Sequence, residues 1–233
     1  MELFTESLKI PCFDRPGLKI KVKELLYISR SAYQEIAVYD TDTYGRCLFL
    51  DGVIQSAESD HEKYDKTILK KLKPTDRNLL ILGGGDGYTA EMALRLNPGI
   101  HVTVVELDGA VINACKIHLD QKIFDHPSIN LVIDDALHFM EEADNVNYDC
   151  IICDLTDQPV GYKDIKFKDF HLNVFSLSTK ILNRPGWISA YMGCNADIAN
   201  DMISLHLGQI EKDEVFISSF GEPCYFVHGL VLK

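Results

Sequence analysis

The chain has 233 residues, 46% of them hydrophobic and 25% charged, with a formal net charge of -12. That length supports one substantial core with a small attached subdomain, and the acidic balance argues against a nucleic-acid backbone as the main partner while permitting a cationic substrate. No stretch approaches the roughly 18 consecutive apolar residues of a membrane span, and Met1 to Ile10 carries acidic residues where a signal peptide would be basic, so a cytoplasmic protein without membrane attachment is expected.

Up to about Lys66 the pattern alternates and is rich in β-formers, as in Lys19-Ile20-Lys21-Val22-Lys23 and Cys47-Leu48-Phe49-Leu50. Turn chemistry at Asp40 to Gly45 and at Asp51-Gly52 separates these runs, which predicts a small antiparallel sheet over residues 1–65. From Asn78 onward the character changes. Short apolar runs at Asn78–Leu82, His101–Glu106, Ile129–Ile133 and Tyr148–Asp154 alternate with segments of helical periodicity. That alternation predicts an α/β domain over residues 66–233, a Rossmann-like, methyltransferase-type parallel sheet with helices on both faces. Asn97-Pro98-Gly99 stops the first helix, Asp108 caps the second, and Arg184-Pro185-Gly186 is expected to end a long helix beginning near Lys168.

The seven cysteines are odd in number and dispersed through apolar runs, which suits reduced core thiols. Cys150 and Cys153 resemble a redox pair in spacing, yet on a strand they face opposite sides, so both read as buried small hydrophobes. The eight histidines show no ligand spacing, and no metal is expected.

The run Leu80-Ile81-Leu82-Gly83-Gly84-Gly85-Asp86-Gly87 is a strand followed by a glycine-rich turn. Glycines there let backbone amides approach a ligand at a helix N-terminus. Tyr88 stands where a dinucleotide fingerprint wants glycine, so the spacing suits a nucleoside better than a pyrophosphate; a purely structural tight turn is the alternative. Glu106 ends the next apolar strand about 20 residues on, where a carboxylate accepts from ribose hydroxyls. Asp135, after the following strand, is read as an acceptor for an adenine amino group in preference to a simple helix cap. Asp86 separates donor types: a carboxylate in the turn repels an amino-acid carboxylate but pairs with an ammonium. Its plain alternative is an Asp that hydrogen-bonds its own turn.

The fourth strand exits through Asp154, followed by Leu155-Thr156-Asp157. Two carboxylates at the exit of a buried strand are costly to desolvate without a cationic partner, which an amine would supply. With Tyr33-Gln34, Gly45-Arg46, Leu50-Asp51-Gly52, Gly83 to Gly87, Val105-Glu106-Leu107-Asp108 and Asp154 to Asp157 in view, the chain from Tyr33 onward resembles the spermidine/spermine synthase family of aminopropyltransferases.

The resemblance implies transfer of an aminopropyl group from decarboxylated S-adenosylmethionine, a co-substrate, to putrescine or spermidine, with methylthioadenosine released and no cofactor or metal. By it, Gln34, Gly83, Gly85, Asp86, Glu106 and Asp135 bind the donor, Asp154 is the catalytic base, and Tyr64, Asp157 and Tyr225 hold the acceptor amine. It also implies a homodimer. Ala57-Glu58-Ser59-Asp60 and Asp154-Leu155-Thr156 resemble the spermine branch, Asp157 the spermidine branch. The chain departs from the spermidine synthases at Tyr64-Asp65-Lys66, where they read tyrosine-histidine-glutamate, and at Tyr88, where the family has glycine. The large N-terminal domain of animal spermine synthases is not expected here.

A methyltransferase on the same fold and a non-catalytic polyamine or nucleoside sensor are the competing readings. Trp187 is expected in the core, the charge run Lys63 to Lys73 on a solvated helix face, and Phe167 and Phe170 on one apolar helix face rather than closing over the acceptor.

Overall fold

β-branched and aromatic residues alternate with polar ones through the N-terminal segment, and the chain there pairs into a sheet. In the computed structural model, which describes residues 7–9, 19–143, 147–155, 166–193 and 207–232, five antiparallel strands follow in chain order: β1 (Ser7–Lys9), β2 (Lys19–Arg30), β3 (Glu35–Thr41), β4 (Gly45–Leu50) and β5 (Val53–Ala57). Asp51 and Gly52 both take positive φ, 47° and 76°, and close the two-residue hairpin between β4 and β5. That is the turn in which an Asp-Gly pair matches the twist of the flanking strands.

The second sheet has seven strands in the order β11 (Leu207–Ile217), β12 (Glu222–Val231), β10 (Leu182–Tyr191), β9 (Tyr148–Asp154), β6 (Asn78–Gly83), β7 (His101–Glu106), β8 (Ile129–Ile133). The run β10 to β8 is parallel, and β12 lies antiparallel between β10 and β11. Helices α1 (His61–Ile68), α2 (Tyr88–Leu96), α3 (Gly109–His118), α4 (Ala136–Glu142) and α5 (Phe167–Ile181) complete it. This is the expected Rossmann-like architecture, with an antiparallel hairpin added at one edge. Among the described residues no helix is long and apolar enough to cross a membrane.

Because successive strand residues point to opposite faces, the sheet has two cores. Leu80, Leu82, Ile151, Cys153 and Ile188 meet Leu137, Phe170, Val174 and Phe175 of α4 and α5. Leu79, Ile81, Cys150, Ile152 and Trp187 meet Ile68, Ala90, Met92 and Ile112 of α1 to α3. Cys150 and Cys153 thus lie in different cores, both buried free thiols; Cys12 and Cys194 lie outside the described residues. The N-terminal sheet docks through Ile36, Val38 and Leu48 onto Tyr88, Val111 and Ala114.

Local stop signals act as expected at Asn97, which follows α2, and at Asp108, which caps α3 by accepting from Ala110 N–H at 3.0 Å. Arg184-Pro185-Gly186 does not end α5. The helix stops at Ile181, and the tripeptide sits inside β10, in the irregularity between the Leu182–Tyr148 and Trp187–Cys150 pairs. The lysine run after Lys63 is docked rather than merely solvated: Lys70 pairs with Asp213 at 2.8 Å, and Lys71 pairs with Glu211 while lying 4.4 Å over the Trp187 ring.

Candidate active site

Every parallel strand of the large sheet ends on the same side, and a ligand belongs in the crevice beyond those ends. Gly83 and Gly87 have φ of 84° and 82°, a region a side-chain-bearing residue enters only under strain. A Cβ on Gly83 would lie 2.0 Å from the Asp154 carbonyl oxygen, and one on Gly85 would lie 2.8 Å from Glu106 Oε2. The glycine turn therefore threads between the ends of β7 and β9 and brings Asp86, Glu106 and Asp154 to one cleft. That cleft holds about 890 Å³, counting solvent at its mouth, and is lined by all six residues assigned to the donor, Gln34, Gly83, Gly85, Asp86, Glu106 and Asp135.

The lining is tied down by hydrogen bonds. Asp108, 3% exposed, is the hub: its Oδ2 accepts from Gln34 Nε2 at 3.2 Å and from Ser31 Oγ at 2.6 Å, and its own N–H donates to Glu106 Oε1 at 2.9 Å. Asp135 is the N-cap of α4, Oδ1 accepting from the N–H groups of Leu137 and His138 at 2.9 and 3.0 Å. The cap that ranked second in the sequence is present, and the same carboxylate faces the cleft.

A second cavity of about 330 Å³, again counting solvent at its mouth, adjoins the first, lined by residues including Ser56, Asp60, His61, Tyr64, Asp65, Thr89 and Phe220. Gln55, Asp86 and Asp154 belong to both linings. Tyr64 donates to Asp154 Oδ1 at 2.5 Å, from a ring enclosed by Tyr191, Phe220 and Phe226. Burial pushes the Tyr64 phenol well above its ordinary value, so it stays protonated and donates to the Asp154 carboxylate. Asp60 closes the far wall, held by the Ser219 N–H and hydroxyl, both at 2.8 Å.

Burial, reinforced by the neighbouring Asp86 carboxylate, pushes Asp154 up to about 7. Burial and then Asp65 push Asp86 up to about 6, and burial pushes Glu106 up to about 7 against the Asp108 N–H. Carboxyls held above their ordinary range by burial would gain from a bound cation, which reverses the cost of charging them. A carboxylate poised near 7 is also a competent proton acceptor.

Asp157 and the Thr156 to Pro159 segment lie outside the described residues, as does the Phe167 side chain. Tyr225 lies on β12 facing the core shared with α5, and lines neither cavity. Phe170 belongs to the helix-face core, 4% exposed, and also lines the larger cleft. Sequence reasoning passed over Ser56, His61, Thr89 and the Asp60–Ser219 anchor. His61 and Asp65 stand four apart on α1, a helical neighbour spacing that was the available signal; Thr89 and Ser219 offered none.

Residues 64–212 match the family model described as spermine/spermidine synthase domain, and residues 4–58 that described as spermidine synthase tetramerisation domain. A polyamine aminopropyltransferase of Pyrobaculum calidifontis is 32% identical over 233 residues, spanning 94% of this chain and 80% of the relative. That of Methanocaldococcus jannaschii is 37% identical over 176 residues, 73% of this chain and 58% of the relative. A solved spermidine synthase in complex with the transition state analogue AdoDATO superposes with a TM-score of 0.83 at 23% identity, covering 99% of this chain and 83% of the other. The Thermotoga maritima spermidine synthase superposes at 0.80 and 21%, covering 99% and 82%. Identities at that level establish a shared fold.

Proposed function

The chain belongs to the spermine/spermidine synthase family, and from that premise we propose that it is a polyamine aminopropyltransferase. The observation that carries the reading is the junction of two cavities at Asp86 and Asp154. A nucleoside sulfonium, decarboxylated S-adenosylmethionine, occupies the larger cleft, with Glu106 on the ribose, Asp135 on the adenine amino group and Asp86 on the terminal ammonium. The acceptor amine enters the smaller cavity beside Tyr64 and Asp154, and the family resemblance adds Asp157 as a further ligand. An alkyl ammonium with a pKa near 10 cannot attack carbon until it is deprotonated, and Asp154 takes that proton. Attack on the methylene beside sulfur is a displacement, so fixing amine, carbon and sulfur in line supplies much of the acceleration. Methylthioadenosine leaves as the second product.

Asp86 favours this donor over ordinary S-adenosylmethionine, whose carboxylate it would repel. The acceptor is an aliphatic di- or triamine, putrescine or spermidine. Self-association is proposed for the N-terminal sheet, where Leu25 and Ile28 of β2 are 47% and 49% exposed; equilibrium sedimentation counts the copies, with a dimer expected.

The test is an assay with decarboxylated S-adenosylmethionine against putrescine, spermidine, agmatine and cadaverine in parallel, following methylthioadenosine. Release with putrescine or spermidine is expected and identifies the acceptor. Silence with all four, despite measurable donor binding, points to a binding protein without turnover. Methylated product from ordinary S-adenosylmethionine points to a methyltransferase.

A further inference from the structure

We infer that Thr89, Asp65 and His61 form a proton exit from the base Asp154 to solvent, an assignment that rests on the transfer reaction proposed above.

The chemistry requires an exit. In each turnover an acceptor ammonium loses one N–H proton to Asp154, the freed pair forms the new N–C bond, and the C–S bond breaks with its electrons left on sulfur. Sulfonium becomes a neutral thioether and the product amine remains an ammonium, so one proton per cycle stays on Asp154 until it is passed on.

Asp154 is partly exposed at the junction of the two cavities, where a bound donor and amine would cover it during transfer. Its Oδ1 accepts from the Tyr64 hydroxyl, whose ring is enclosed by Tyr191, Phe220 and Phe226 and which makes no onward hydrogen bond among the described residues. On Oδ2 stands Thr89 Oγ1 at 3.4 Å, a length that ligand-free catalytic hydrogen bonds shorten once substrate is bound. Thr89, 1% exposed, also reaches Asp65 Oδ1 at 2.8 Å. Asp65, 2% exposed, meets His61 Nδ1 through Oδ2, again at 2.8 Å. The His61 side chain is 18% exposed and is where the chain of contacts reaches water. The Asp154 proton passes to the Thr89 hydroxyl as the Thr89 proton moves to Asp65, and the Asp65–His61 pair then gives one proton from the imidazole to water.

His61 is held for this task. Its ring stacks on Tyr88 at 3.8 Å between centroids and 13° between planes, while Asp65 fixes Nδ1. The carboxylates acting on it are Asp65 on its own helix, Asp86 in the glycine turn and Glu91 on α2, with Asp60 and Asp154 on the same cavity wall. Burial works against its charge, but the bond to Asp65 and the fields of these carboxylates outweigh burial and hold the imidazole above its ordinary range. Asp65 and Tyr88 are two of the positions at which this chain departs from the family pattern; both departures meet at His61.

The experiment measures kcat at saturating amine for Thr89→Val, Thr89→Ser and His61→Ala, with far-ultraviolet spectra and thermal unfolding to verify folding. Thr89→Val keeps shape and removes the hydroxyl, and about a 10-fold or larger fall in kcat with KM for the amine nearly unchanged is expected. Thr89→Ser restores most of the loss. Added imidazole raises kcat of His61→Ala severalfold. Wild-type kcat within twofold for both Thr89→Val and His61→Ala overturns the exit while leaving the transfer reaction intact, as does a loss confined to KM or one that imidazole does not rescue. A wild-type protein that transfers nothing overturns the reaction and the exit together.

Discussion

The donor cleft draws its groups from successive strand ends, Gly83 to Asp86 after β6, Glu106 at the end of β7 and Asp135 after β8. The acceptor cavity collects single side chains from distant segments: Tyr64 reaches Asp154 across 90 residues of chain, and Asp60 reaches Ser219 across 159. The first half is specified by backbone geometry, since parallel strands linked by crossover helices leave all their carboxyl ends together. The second depends on how α1, α2 and the turn after β11 dock. Changes in the donor half should therefore act through shape and binding, and changes in the acceptor half through charge and proton transfer.

The largest expected effect is in the acceptor half. Asp154→Asn removes the proton acceptor while keeping the outline of the side chain, and kcat should fall by about 10³-fold. Donor affinity, measured by calorimetry with methylthioadenosine, should stay within about twofold. Turnover within tenfold of wild type would place the base elsewhere and dissolve the contrast between the halves.

A purely steric change in the donor half comes next. Gly85→Ala puts a methyl group 2.8 Å from Glu106 Oε2 and 3.1 Å from Val111 Cγ1. Donor affinity should drop roughly 10- to 100-fold, about 1.4–2.8 kcal/mol, with little change in KM for the amine. Unaltered methylthioadenosine binding would show that the turn yields more readily than its packing indicates.

The smallest effect is on stability and its pH dependence. Asp154, at about 7, and Asp86, at about 6, lie above the ordinary carboxylate range. Between about pH 4 and those values the folded chain holds protons that the unfolded chain has released. Their contribution to stability is thus present at low pH and is lost as pH rises toward 7. Asp154→Asn should stabilise the ligand-free protein at pH 8 by about 1–2 kcal/mol and at pH 4 by much less, read from urea unfolding. In wild type the acid limb of kcat/KM should fall below pH 7 as Asp154 takes a proton and can no longer accept one from the amine. Equal effects of the substitution at both pH values would mean that Asp154 ionises as an ordinary carboxylate.

The sequence by itself determined what rests on neighbours a few residues apart. Asp51-Gly52 makes its hairpin, Asn97 and Asp108 punctuate their helices, and period-2 alternation sends Cys150 and Cys153 to opposite cores. Five of the six residues proposed for the donor are legible for the same reason, because a glycine turn and a carboxylate at a strand end are local features placed together by topology, whereas Gln34 came from the family resemblance alone. Tertiary structure alone decided the rest. Arg184-Pro185-Gly186 became an irregularity within β10 because Leu182 found a partner in Tyr148 before the tripeptide began. The lysines after Lys63 became anchors because β11 presents Glu211 and Asp213 to them. Thr89 joined Asp154 to Asp65, and Ser219 seized Asp60, only once the helices had packed on the sheet. Hydrogen bonds within a turn are encoded by spacing along the chain, whereas those between side chains far apart in sequence depend on the docking of whole elements, which no local pattern carries.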